Sequence, residues 1–153
     1  MHFIFKLSLL MIISLFSLQS FATNEKIQWQ EWSNEAFALA AQQNKLVLLD
    51  ISAEWCQFCK KMKAVTYQDP EVIKIINDNY IAINADIETS TDVKILYGDF
   101  GVPGTVILTP ERDEINKRLG YIAPQQMQWH LLGNLQDAPA HKSGIISAIS
   151  NSH

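Results

Sequence analysis

The chain has 153 residues, 48% of them apolar and 18% charged, with a formal net charge of −4. One domain of that length buries a core without a metal or disulfide staple, and that composition argues against disorder. A mildly acidic chain with no basic run lacks the electrostatic footprint of a nucleic-acid binder.

Residues 1–22 read as a secretory signal. Met1 to Lys6 carries one positive charge, Leu7 to Leu18 is a mainly apolar run, and Ser20-Phe21-Ala22 sets small residues at the expected cut. A spanning helix needs about 20 apolar residues, and this run already holds Ser8, Ser14 and Ser17 before Gln19. A retained anchor is therefore the weaker reading. Export is expected, to the periplasm if the source is bacterial.

Residues 23–136 form the expected domain. Asn24 to Glu31 is a polar lead whose tryptophans, Trp29 and Trp32, read as packing residues. Ser33 caps a helix to about Gln43, with Phe37, Ala40 and Ala41 on its buried side. Leu46 to Ile51 is an apolar run broken only by Asp50, which suits a central strand covered on both faces. Gln57 to Thr66 has helical composition. Asp69-Pro70 starts the next helix, to about Asn77, with an N-cap acid and proline at the first position. Val72, Ile73 and Ile76 point inward there.

Tyr80 to Ile87 reads as a strand and Thr91 to Tyr97 as a short helix capped by Ser90 or Thr91. A loop, Gly98 to Gly104, precedes the strand Thr105 to Thr109. Pro110 to Glu114 turns the chain into a second strand, Ile115 to Leu119. Pro124 to Leu135 forms the last helix, and residues 137–153 a loose tail. This order predicts an α/β fold: a parallel strand pair joined by a crossover, extended by an antiparallel hairpin. A central mixed sheet with helices on both faces results.

The only cysteines are Cys56 and Cys59. A disulfide across two intervening residues removes little chain entropy, so it makes a poor structural staple. Structural zinc needs four ligands, and His130, His141 and His153 show no ligand spacing. Haem attachment fails because Lys60 follows the pair. A soft-metal site of two thiolates stays open beside a redox pair. The redox reading fits the placement, because a strand ends near Ser52 and a helix starts at the first cysteine. Backbone N–H groups and the dipole at a helix N-terminus stabilise a thiolate, the species that attacks disulfides. Cys59, one turn on, can then resolve the mixed disulfide. Lys60, Lys61 and Lys63 add positive potential or simply form a solvated face.

The run Asp50-Ile51-Ser52-Ala53-Glu54-Trp55-Cys56-Gln57-Phe58-Cys59-Lys60 resembles the active-site strand and loop of the thioredoxin superfamily. Asn84-Ala85-Asp86 extends the resemblance along the next strand, and Gly101-Val102-Pro103 resembles the cis-proline loop. Thr66 through Asp69-Pro70-Glu71-Val72 is similar to the exported branch that includes the C-terminal domain of the membrane thiol-disulfide interchange protein. The resemblance covers about Leu46 to Leu135.

It implies a thioredoxin fold, with Cys56 as exposed nucleophile and Cys59 as buried resolving thiol. Trp55 would shield the pair, and Asp50 would carry a proton to or from Cys59. A lone acid in an apolar strand is costly unless paired or protonated, against the plainer reading of a wet strand end. Pro103 would be cis, presenting the Val102 backbone to an extended substrate, against the plainer reading of a loop proline. Three departures stand out. Ala82 replaces a common lysine, Gly104 a common threonine, and Gln57-Phe58 the usual Gly-Pro.

The expected function is an exported thiol-disulfide oxidoreductase, a monomer without cofactor that reduces protein disulfides. A membrane electron donor would recharge it, because cytosolic reductase is out of reach. Its rivals are an oxidase or isomerase, and a metal-binding or chaperone module on the same fold.

Overall fold

Ser33 adopts an extended conformation and its hydroxyl accepts from the Ala36 N–H at 3.2 Å, which starts helix α1 (Asn34–Gln43). The structure, a computed structural model, describes residues 25–136. The expected signal and the expected tail lie outside those residues. On α1 the buried positions are Ala36, Phe37 and Ala40, whereas Ala41 is exposed. At about 100° per residue, Ala41 falls roughly 90° from the centre of that buried arc. Its expected burial is corrected.

Strand β1 (Leu46–Ser52) is buried along its whole length. It leads through a short loop into α2 (Gln57–Ala64), which ends two residues earlier than its composition suggests. Val65 leaves helical geometry at φ −120° and ψ −64°, and a single 3₁₀ turn, Thr66–Gln68, follows. Asp69 then caps α3 (Pro70–Asn79), its Oδ1 accepting from the N–H groups of Glu71 at 3.1 Å and Val72 at 3.0 Å. Strand β2 (Tyr80–Asp86), helix α4 (Thr91–Tyr97), strand β3 (Gly104–Leu108) and strand β4 (Glu114–Leu119) come next. A last helix, α5, occupies residues 124–136.

The four strands lie in the order β2-β1-β3-β4. β1 pairs parallel with β2 and antiparallel with β3, which pairs antiparallel with β4. Alternation along β1 divides the core. Leu46 and Leu48 pack with Met62 of α2, Val72 and Ile76 of α3, and Met127 and Leu131 of α5. Val47, Leu49 and Ile51 pack on the opposite face with Phe37 of α1 and Val93 of α4. Helices therefore cover both faces of a mixed sheet, an α/β thioredoxin-like architecture.

Among the described residues, no helix is long and apolar enough to cross a membrane. Gln30 lines the outer edge of β2, donating to the Ala82 carbonyl at 2.8 Å and accepting from the Asn84 N–H at 3.0 Å. The outer strand β4 instead carries Glu114, Lys117 and Arg118, charges that discourage pairing with another chain.

Candidate active site

The connectivity gathers three loops at one end of the sheet. β1 and β2 run parallel and end together, and Ile87 donates to the Ser52 carbonyl at 2.8 Å. β3 runs the other way, so its beginning, just after Pro103, arrives at the same end. Ala53, Cys56 and Cys59 pack here against Ile87 and Val102.

Cys56 is the N-cap of α2 and is joined to Cys59 by a disulfide with the Cα atoms 5.3 Å apart. The Cys59 N–H donates to Cys56 Sγ at 3.1 Å. A backbone donor at a helix start favours a sulfur carrying negative charge, the condition for a low thiol pKa. Cys56 is 5% exposed and Cys59 3%, so the expected contrast between an open and a hidden cysteine is absent from the disulfide form. Ile87 and Val102 pack against the cluster that holds both. Trp55 is 62% exposed, its indole N–H donating to Glu88 Oε1 at 3.3 Å. The Val102–Pro103 peptide bond is cis, Pro103 is buried, and its carbonyl accepts from Gly120 at 2.8 Å.

Asp50 is 2% exposed, which removes the wet strand end from consideration. Its position in β1 faces the same side as Leu46 and Leu48, the side covered by α2. In register beside it stand Asn84 on β2 and Thr105 on β3. Asn84 Nδ2 donates to Asp50 Oδ2 at 2.7 Å, and the Tyr67 hydroxyl donates to Oδ1 at 3.1 Å. Burial pushes the Asp50 carboxyl up to about 6, against the opposing pull of Tyr67, the Lys63 charge and Asn84. Burial also holds the Tyr67 phenol well above its ordinary range, with the Asp50 charge adding to the effect.

β1 thus carries a buried carboxylate and leads into a dithiol at its end. The family model named Thioredox_DsbH, described as "Protein of unknown function, DUF255", matches residues 9–137. The chain belongs to this family. It is 35% identical over 96 residues to Uncharacterized protein B0495.5 of Caenorhabditis elegans, a match covering 58% of the chain and 13% of that protein. It is 31% identical over 97 residues to the thiol:disulfide interchange protein DsbD of Neisseria meningitidis, covering 61% of the chain and 16% of the relative. The matched stretch is thus a small part of both relatives. A thioredoxin from Thermus thermophilus superposes with a TM-score of 0.67 at 20% identity, covering 76% of this chain and 93% of that one. The fold is thioredoxin-like, and the chain resembles the C-terminal domain of DsbD.

Within this thioredoxin-like frame two departures have a local cause. A Cβ at Gly104 would lie 3.1 Å from ring atoms of Phe100 and from the Gly101 carbonyl oxygen, so the Phe100 ring takes the space of a side chain there. Ala82 is buried opposite Leu48, and the positive charge acting on Asp50 comes instead from Lys63 on α2. Tyr67 and Asn84 had no role assigned by residue type. Asn84 was legible: it stands fifth in its strand run, as Asp50 does in its own, so two polar residues interrupt parallel strands at matching positions. Tyr67 had a fainter signal, a Val65-Thr66-Tyr67 run of poor helix formers just before Asp69-Pro70.

Proposed function

We propose that the protein is an exported thiol-disulfide oxidoreductase that reduces protein disulfides through Cys56 and Cys59. The observation that carries this reading is the Cys56–Cys59 pair at the start of α2, with a backbone N–H directed at Cys56 Sγ. In the reduced enzyme the Cys56 thiolate attacks one sulfur of a substrate disulfide, forming a mixed disulfide and releasing the other sulfur as a thiolate that takes a proton from water. Cys59 then gives its proton to the Asp50 carboxylate and attacks Cys56 Sγ. The enzyme disulfide forms, and the second substrate sulfur leaves as a thiolate. Two electrons pass from enzyme to substrate.

Trp55, Val102 and Pro103 border the pair and are the proposed substrate contacts, with the extended chain of the substrate lying along the Val102 backbone. The reducing direction is supported by the Trp-Cys context and the acid at Asp50. Export is supported by the pattern of residues 1–22, and it calls for a membrane thiol donor to restore the dithiol. Thiol:disulfide interchange, in the name of the Neisseria relative, agrees with that chemistry.

The test is insulin reduction with dithiothreitol as donor, run on the wild type, Cys56→Ser and Cys59→Ser. The wild type should accelerate precipitation, and both variants should not. Cys59→Ser should accumulate mixed disulfides with protein partners, while Cys56→Ser forms none. Trapping on Cys56→Ser instead would reverse the roles of the two sulfurs. A wild type no faster than dithiothreitol alone would remove the enzyme reading in favour of a binding module.

A further inference from the structure

Both oxygens of the Asp50 carboxylate are engaged by donors from outside its own strand. Tyr67 reaches Oδ1 from the 3₁₀ turn and Asn84 reaches Oδ2 from β2. The turn is anchored at Thr66 and at the Tyr67 ring. The Thr66 hydroxyl donates to the Ile122 carbonyl at 2.6 Å, and Trp29 packs edge-on against the Tyr67 ring with centroids 5.0 Å apart. A cleft of about 320 Å³, lined by Trp29, Lys63, Tyr67, Gln68 and Asn84, opens next to the two donors. The side-chain contacts of Asp50 therefore come from the 3₁₀ turn and from β2 rather than from its own strand.

We propose that Tyr67 is a positioning residue for the dithiol step, its hydroxyl holding the Asp50 carboxylate in the ionised form that accepts the Cys59 proton. The proposal rests on the oxidoreductase reading and adds to it the device that sets the base. Two donated hydrogen bonds favour the carboxylate, because each is stronger to an ionised oxygen than to a neutral carboxyl.

The groups facing Asp50 from each packed element are few. α2 brings the Lys63 charge, β2 brings Asn84, β3 Thr105, and the 3₁₀ turn Tyr67. α3 and α5 contribute the apolar Val72, Ile76, Met127 and Leu131 to that face. Arg118, next along the row on β4, acts on His130 of α5.

Tyr67→Phe keeps the ring against Trp29 and removes the hydroxyl, which donates to Asp50 and also meets Thr105. Losing one such hydrogen bond should raise the midpoint of Asp50 titration by roughly one pH unit. Carboxyl carbon shifts read that midpoint directly in the disulfide form, whether or not the protein has activity. Insulin reduction should fall about fivefold at pH 6 and change little at pH 8, the ratio of ionised fractions for a one-unit shift. Asn84→Ala should move both readouts the same way from the other oxygen, which guards against a folding defect peculiar to Tyr67. A loss of rate equal at every pH, or a carboxyl titration that superposes on the wild type, would overturn the proposal. A shifted titration with an unshifted rate profile would also overturn it, by taking the Asp50 charge out of the dithiol step. If the wild type reduces nothing, the oxidoreductase reading fails and the catalytic half of the proposal falls with it. The titration shift would then still establish the Tyr67–Asp50 linkage on its own.

Discussion

Asp50, with its carboxyl raised to about 6 from 3.8, binds protons in the folded state that it would release when unfolded. Between those two values the folded chain holds more protons, so stability falls as pH rises through that window. A shift of that size corresponds to roughly 3 kcal/mol of instability at neutral pH. Asp50→Asn removes the buried charge but matches the Asn84 and Tyr67 donors less well, so part of the gain is lost. The variant should gain about 1–3 kcal/mol at pH 7 and nothing at pH 4, where the wild-type carboxyl is neutral. Urea unfolding at the two pH values measures the difference. Its dithiol turnover should slow, since the charge that burdens the fold is the base proposed for Cys59. Equal gains at both pH values would mean that packing, not ionisation, drives the change.

Among the elements, α3 shows how one capping residue joins local and tertiary structure. Asp69 Oδ1 accepts from two N–H groups at the start of α3 and also from Gln128 Nε2 of α5 at 3.2 Å. Asp69→Ala leaves those donors unpaired and should cost about 1–2 kcal/mol. Thermal unfolding would show it as a lower midpoint, with insulin reduction retained at 25 °C because α3 contributes nothing to the dithiol. Loss of activity at 25 °C together with native circular dichroism would instead place this helix start in the site. The 3₁₀ turn just before it carries the proposed positioning residue. It exists because Val65 breaks α2 and Asp69 begins α3, leaving three residues to turn Tyr67 towards Asp50.

The whole molecule builds its site from topology. A parallel β1–β2 pair and an antiparallel β3 bring Cys56, Ile87 and Val102 to one end of the sheet, although they are far apart in the chain. Protein recovered from the exported fraction should have an intact mass beginning at Thr23. Chain that begins at Met1 and sediments with membranes would show that the first 22 residues anchor the domain instead.

The dithiol and the order of the elements were legible because each rests on local chemistry: a C-x-x-C at a strand-to-helix junction, an apolar run, a capping Asp-Pro pair. Ser33 and Asp69 mark their helices by residue type, and Asp50 announces itself as the one acid in β1. Only tertiary structure decided how that acid is held. Its partners come from β2 and from a turn seventeen residues downstream, and a polar residue's hydrogen bonds depend on register and helix docking rather than on neighbours in sequence. The same applies to the exposure of the cysteines, which packing by Ile87 and Val102 nearly equalises, and to Gly104, whose missing side chain is replaced by the ring of Phe100. Sequence marks which atoms carry the chemistry, because that is a property of residue type. The fold decides what surrounds them, because close packing is set by every strand and helix that meets at the site.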